Sequence, residues 1–356
     1  MGLGFKEDIF SKSKIKWISQ FNKNEYTHIN YIVKTYISSS RYSVKQNRGM
    51  ELNSNNFKLI FKNKKIILKK WNKDIKFSEI KNILNLMFWL NKKKLPIQKP
   101  NHFIKDKFLI KYKEHYWSFF DYVEGDHYRG DIKEFKDTAK YVGKLTNILN
   151  GYPRKKFHSA PQYFSNTDYQ IIKLMNKKNF NLKKKFGKYS KSISIYLPEI
   201  TRLFEKYKSF NKNSKKKIDH IDLHPHNIII RDKKVQVLLD IDSCKIVEEG
   251  HAVAFNALKI CKQTVLHNKN KVNKKIIVKK FMNIVTKEYK INNFIKNNLY
   301  YFAISEVLRR LLYMFKLTLK KNDKKWNRII PIQLGHLDEC KEFFLNKNNK
   351  ISKLVN

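Results

Sequence analysis

The hydrophobic pattern of this chain changes period along its length. Apolar residues first come in short runs, Phe57-Lys58-Leu59-Ile60-Phe61 and Ile66-Ile67-Leu68-Lys69-Lys70-Trp71, on either side of Asn63-Lys64-Lys65. Runs of this composition around a polar turn predict a β-hairpin. From Ser78 the spacing lengthens to three and four: Ile80, Ile83, Leu84, Met87 and Leu90 share one face of a helix over 79–91, with Ser78 as its cap. Leu95-Pro96-Ile97 ends that helix and starts an extended segment, and two further strands are predicted at 108–110 and 117–123. Ahead of this region, Trp17, Ile18 and Phe21 fit one helix face and Ile29, Ile32, Val33 and Tyr36 another, which predicts a helical N-terminal extension over 1–47.

Beyond Tyr122 the helical period dominates. Helices are predicted over 132–149, 167–186, 192–208, 252–267, 274–289 and 297–319, with a Pro153- and Pro161-containing loop over 151–166. Ile304, Val307, Leu308, Leu311, Leu312 and Phe315 give the clearest helical face in the chain, interrupted by Arg309 and Arg310. Those arginines have two readings: one reaches an anionic group on a substrate, or both snorkel to water. The helical region is broken by one hairpin, Ile228–Ile230 and 235–239 around the polar turn Arg231-Asp232-Lys233-Lys234. The pattern is therefore α+β, with strands ahead of Tyr122 and mainly helices after it.

Composition narrows the setting. At 356 residues the chain is long enough for about two domains. Three widely spaced cysteines (Cys244, Cys261, Cys340) give neither a disulfide framework nor zinc spacing, and with no apolar signal segment at the start the expectation is a cytoplasmic protein. No apolar run approaches a membrane span. The formal net charge is +46, which predicts attraction to nucleic acid, anionic lipid and polyanionic ligands. The lysines are spread over the whole length, among many Asn, Ile, Phe and Tyr. That joint bias matches AT-rich coding better than a dedicated nucleic-acid module, and runs such as 183–185 and 215–217 read as solvated.

The chemistry gathers at the second hairpin. His220, Asp222 and Asn227 precede its first strand, and Asp240 and Asp242 follow its second. A hairpin brings its outer ends together, so Asp222, Asn227 and Asp240 are expected to converge. Two carboxylates and an amide are hard oxygen donors that suit Mg2+.

This H-x-D-x-x-x-x-N, followed by a strand and Leu239-Asp240-Ile241-Asp242, resembles the catalytic and metal loops of the aminoglycoside, choline and homoserine kinase-like phosphotransferases. The resemblance implies a bilobal protein-kinase-like fold over about residues 50–320, with a small antiparallel-sheet lobe over 48–122 and a larger helical lobe over 123–356, and an ATP- and Mg2+-dependent kinase acting on a small-molecule hydroxyl. Asp222 would accept or orient that hydroxyl, with His220 shaping the loop. Asn227 and Asp240 would hold the metal, Asp240 being preferred to Asp242 from the family spacing. Lys69, with Lys70 as its competitor, would steady the nucleotide phosphates. Glu79 would pair with that lysine, unless Asn82 takes its place one turn later. The loop over 51–56, including Ser54 and Asn55, would cover the phosphates, although it has no glycine of its own. The segment with Phe120, Asp121 and Val123 would join the lobes and hydrogen-bond adenine through its backbone. Two other classes stay open: a kinase-fold binding protein without transfer activity, and a basic nucleic-acid or membrane-surface protein in which the motif is accidental.

Overall fold

The computed structural model describes residues 17–18, 23–37, 41–47, 55–62, 64–101, 108–153, 157, 159, 163–208 and 215–345. The first lobe is a six-stranded antiparallel sheet in the order β1-β2-β3-β4-β6-β5. Its strands are β1 (Trp17–Ile18), β2 (Ser43–Asn47), β3 (Asn55–Phe61), β4 (Lys64–Lys70), β5 (Ile110–Tyr112) and β6 (His115–Asp121). The predicted hairpin of β3 and β4 forms, with Phe57 opposite Leu68 and Phe61 opposite Lys64.

Strand β4 reads as an unbroken apolar run because both of its faces are covered. Ile66 and Leu68 join Phe57 and Leu59 against Ile29, Ile32 and Val33 of helix α1 (Lys23–Ile37). Ile67 points the other way, into a core shared with helix α2 (Phe77–Lys92) and its residues Ile80, Ile83, Leu84, Met87 and Leu90. Helix α1 and strand β2 therefore pack into this lobe, within the stretch expected as an extension ahead of it. Residues 17–18 are strand, not helix, and pair with Asn47 and Gln46. Helix α2 begins two residues earlier than expected, and its N-cap position is Lys76 instead of Ser78.

Residues 122–125 leave the sheet and lead to β7 (Asp126–His127), which pairs with the second hairpin. The helical lobe packs α3 (Ile132–Asn150), α4 (Asn166–Met175), α5 (Leu182–Phe186), α6 (Ser190–Tyr207), α7 (His251–His267), α8 (Lys274–Glu288), α9 (Asn293–Asn297), α10 (Leu299–Lys321) and α11 (Ile330–Phe344). The element expected over 167–186 is two short helices, α4 and α5. Helix α11 has no counterpart in the sequence reading. Its buried positions run almost all round, polar Gln333, His336 and Glu339 included, so it shows no apolar stripe.

A two-stranded ribbon, β8 (Lys216–His220) with β11 (Cys244–Glu248), lies under the helices. It buries Lys217, read above as solvated: the ammonium lies 3.5 Å from Asp219, 3.8 Å from Glu249 and 4.2 Å from the Tyr289 ring centre. Charge compensation and a cation–π contact offset the loss of water. Among the described residues no helix is long and apolar enough to cross a membrane.

The helical lobe depends on close approach of α3 to α8. A Cβ on Gly143 would sit 2.8 Å from both the Val285 carbonyl oxygen and Glu288 Cβ. Gly143→Val must push α8 backbone aside, so we expect it to lower unfolding free energy by about 2 kcal/mol. Urea denaturation measures this, and an unchanged midpoint would contradict the packing described.

Candidate active site

The second hairpin comprises β9 (Ile228–Arg231) and β10 (Lys234–Leu238), with Lys234 opposite Arg231. The loop is thus two residues, tighter than the four-residue turn expected. Asp232 and Lys233 adopt φ values of 53° and 61°, the left-handed pair that matches strand twist. Beyond the strands the backbone stays stitched. The Leu239 N–H donates to the Asn227 carbonyl at 2.7 Å, and the Ile221 N–H donates to the Ser243 carbonyl at 3.2 Å. The loop over 221–227 and the loop over 239–243 therefore lie side by side. The outer edge of β10 pairs with the segment after α2: the Leu238 N–H donates to the Pro96 carbonyl at 3.0 Å, and the Gln98 N–H to the Leu238 carbonyl at 3.1 Å. This short ladder fixes the hairpin against the sheet lobe.

Lys69 reaches across that junction. Its ammonium lies 3.2 Å from Asp242 Oδ2, 3.9 Å from Asp240 Oδ1 and 4.5 Å from the Trp71 ring centre. Lys70, one residue on, turns to the opposite face and meets Glu25 of α1 at 3.5 Å. The two-residue period of a strand thus separates the two lysines. Burial would raise the Asp242 carboxyl, but Lys69 outweighs it and holds the group below its ordinary value. Asp240 sits in the left-handed region, with φ 54° and ψ 44°. Aspartate tolerates that conformation better than most residues, and such backbone is retained where it aims a side chain. The Asp240 carbonyl accepts from the Ser243 N–H at 2.9 Å and lies 3.0 Å from His220 Nε2.

That contact fixes the tautomer of His220. A carbonyl only accepts, so Nε2 carries the proton and Nδ1 is left as the acceptor. Nδ1 is buried with no hydrogen-bond partner among the described residues. Burial lowers the imidazole pKa, and the ring stays neutral as a brace between β8 and Asp240.

Asp222 is held from the helical lobe. Arg310 donates from Nη1 to Asp222 Oδ1 at 3.0 Å and from Nη2 to the Ile221 carbonyl at 2.6 Å. Its Nε donates to buried Glu306 at 2.7 Å, and its guanidinium carbon lies 4.2 Å from the Phe255 ring centre. Burial pushes the Asp222 carboxyl up, while Arg310, followed by His224 and Lys259, holds it well below the usual carboxylate range. Asn227 donates from Nδ2 to the Asp222 carbonyl at 2.9 Å, which fixes its amide plane and leaves Oδ1 as the acceptor for a cation.

Asp222, Asn227 and Asp240 are thus joined through the two stitched loops, and Lys69 reaches Asp240 and Asp242 from the sheet lobe. The Glu79 carboxylate accepts from the Lys76 N–H at 3.0 Å and so caps one of the first backbone donors of α2. Lys69 donates to Asp242 within hydrogen-bond distance. Asn82 is half-buried on α2.

Phe120 is a core residue, 1% exposed. The Asp121 N–H donates to the Lys99 carbonyl at 2.9 Å, and its carboxylate accepts from Asn101. Val123 is half-buried in the segment that crosses between the lobes. Ser54 lies outside the described residues, and Asn55 enters only as backbone, opposite Lys70 in the sheet. Among the described residues no group of three or more His, Cys, Asp and Glu is arranged to hold a metal. The candidate donors are the Asn227 amide and the carboxylates of Asp240 and Asp242, a hard-oxygen set that fits Mg2+.

No model of a known protein family matches the sequence, and no curated protein matches it. Solved structures do. A spectinomycin phosphotransferase in complex with ADP and spectinomycin superposes with a TM-score of 0.63 at 12% identity, covering 88% of this chain and 93% of that one. A microcompartment-associated aminopropanol kinase gives 0.60 at 12% identity, covering 89% and 96%. The GDP complex of an aminoglycoside 2'-phosphotransferase gives 0.59 at 15% identity, covering 90% and 99%. These structural neighbours are small-molecule phosphotransferases, and the chain has their protein-kinase-like fold.

Proposed function

We propose that this protein is an ATP- and Mg2+-dependent kinase for the hydroxyl group of a small molecule, of the aminoglycoside, choline and homoserine kinase-like family. The observation that carries this reading is the meeting of Lys69, Asp240, Asn227 and Asp222 at the junction of the two lobes. Each role that phosphoryl transfer requires from side chains has a residue there.

Asp222 orients the acceptor hydroxyl. Its carboxylate is kept ionised by Arg310, so it is an acceptor at neutral pH but a weak base. That suits a transition state in which the hydroxyl proton leaves late. Arg310 is itself fixed by Glu306 and by stacking on Phe255, so the carboxylate has little freedom to turn away. Asn227 and Asp240 would hold Mg2+, whose chemistry when bound is to neutralise charge on the β- and γ-phosphates. Asp240 is favoured over Asp242 because Lys69 lies nearer to Asp242. With nucleotide present, Lys69 contacts the α- and β-phosphates while Asp242 keeps it in register. The segment with Asp121 and Val123 is the place for adenine, between the lobes.

Asp222→Ala should reduce phosphate transfer by about 10^2–10^4-fold, measured as acceptor-dependent ADP release across a panel of small alcohols, with the urea midpoint little changed. Unaltered turnover would remove Asp222 from the mechanism.

Glu306 makes a second, pH-resolved test. Burial raises its carboxyl, but Arg309 and Arg310 pull it from an ordinary 4.5 to about 2. A carboxylate with a depressed folded pKa adds stability that is present above pH 4.5 and is lost as pH falls toward 2. Breaking such a buried pair costs about 3–5 kcal/mol. Glu306→Gln should therefore lose stability near neutrality, with the deficit shrinking in denaturation curves taken at successively lower pH. A deficit independent of pH would contradict the ion-pair account.

A further inference from the structure

The Asp222 carboxylate is held through a chain of buried groups that begins outside the helix carrying Arg310. Glu306 sits at the centre of that chain and is 1% exposed. Its Oε1 accepts from Arg310 Nε at 2.7 Å and from Arg309 Nη2. Its Oε2 accepts from Arg309 Nε at 2.8 Å and from the Tyr163 hydroxyl at 2.8 Å. Both arginines belong to α10, as Glu306 does, so they turn with it. The Tyr163 phenol comes from the segment just before α4 and ties the carboxylate to a different part of the lobe.

Tyr163 is itself firmly placed. Its ring stacks on His251, the first residue of α7, with 3.9 Å between ring centres and 23° between planes. It shares a small core with Val247 and Ala252, against which Ile221, the residue before Asp222, also packs. The next residue, Phe164, has φ 53°, a left-handed conformation that a bulky side chain rarely adopts. Such backbone persists where the surrounding packing imposes it. Phenylalanine at position 163 would keep the stack and the small core, so neither accounts for the hydroxyl. The hydroxyl reaches Glu306, and Arg310 carries the link onward, from Nη1 to Asp222 Oδ1 at 3.0 Å and from Nη2 to the Ile221 carbonyl at 2.6 Å.

We infer that Tyr163 is a positioning residue for phosphate transfer: its hydroxyl fixes Glu306, Glu306 fixes the Arg310 guanidinium, and Arg310 sets the direction in which the Asp222 carboxylate faces the acceptor. The inference rests on the kinase reading and extends its machinery to the segment between α3 and α4. Without the phenol, Glu306 loses its tie to that segment and is free to turn with its α10 partners. Arg310 follows it, and the carboxylate at the end of the chain loses its fixed aim. A displacement of about 1 Å at a reacting group can cost about a hundredfold in rate, so a hydroxyl three links away can govern turnover.

The test uses the whole chain with Mg2+ and ATP and reads ADP release, with water and with a panel of small alcohols as acceptors. A wild type that releases no ADP overturns the kinase reading and this inference with it. With wild-type turnover in hand, Tyr163→Phe should lower kcat by at least about tenfold and leave the KM for ATP unchanged. Tyr196→Phe removes a phenol–carboxylate bond elsewhere in the lobe, to Asp338, and should leave kcat as it is. Arg310→Lys keeps the charge but cannot span Glu306 and Asp222 as the guanidinium fork does, so it cuts the chain between them. In that background Tyr163→Phe should cost nothing further, because residues that act through one another are not additive. A purely structural role would multiply the two losses instead. Unchanged kcat in Tyr163→Phe, an equal loss in Tyr196→Phe, or a full further loss on top of Arg310→Lys would each overturn the inference while leaving the kinase reading standing.

Discussion

The candidate site depends on one short stretch of backbone pairing. The Leu239 N–H donates to the Asn227 carbonyl at 2.7 Å, at the open end of the β9–β10 hairpin. The bond sets the loop that carries Asp222 and Asn227 beside the loop that carries Asp240 and Asp242. On its other edge β10 pairs with residues 96–98, which ties the same loops to the lobe that carries Lys69. Side-chain contacts then refine what the backbone has already fixed: His220 braces the Asp240 carbonyl, and Asn227 holds the Asp222 carbonyl. Because strand pairing sets position in steps of a residue, a slip in this hairpin would turn the loop residues to the wrong side.

The electrostatics follow a consistent plan. Each group expected to act on a ligand is backed by a buried partner of opposite charge or by a neutral brace. Arg310 stands on Glu306, and Lys69 lies between Asp240 and Asp242. Buried pairs of this kind contribute little net stability, since desolvation offsets their attraction. Their value is positional: they fix charges that would otherwise move freely in water, which is the condition for stabilising charge that develops during transfer.

The hairpin and its acids were legible in the sequence because both are local: apolar runs, a polar turn and fixed spacing. The opposite facing of Lys69 and Lys70 was also latent there, since side chains alternate along β4. What escaped depends on distant partners. Strand β2, Ser43-Val44-Lys45-Gln46-Asn47, has no apolar run and becomes a strand by pairing with β3. Helix α1 showed its apolar face but not the sheet it covers. Helix α11 lacks a period because it is buried almost all round. Lys217 looked like its solvated neighbours until Asp219, Glu249 and Tyr289 surrounded it. Arg310 carried a visible signal, a charge within the clearest apolar face of the chain. Its ligand, Asp222, lies 88 residues away along the chain.

The most direct test of the account is calorimetric titration of ATP into the protein with and without Mg2+, repeated on Asp240→Ala. The account predicts tight binding only when Mg2+ is present, and loss of that Mg2+ dependence in the variant. Equal affinity with and without Mg2+, or an unaltered response in Asp240→Ala, would contradict the assignment of this hairpin as the metal–nucleotide site.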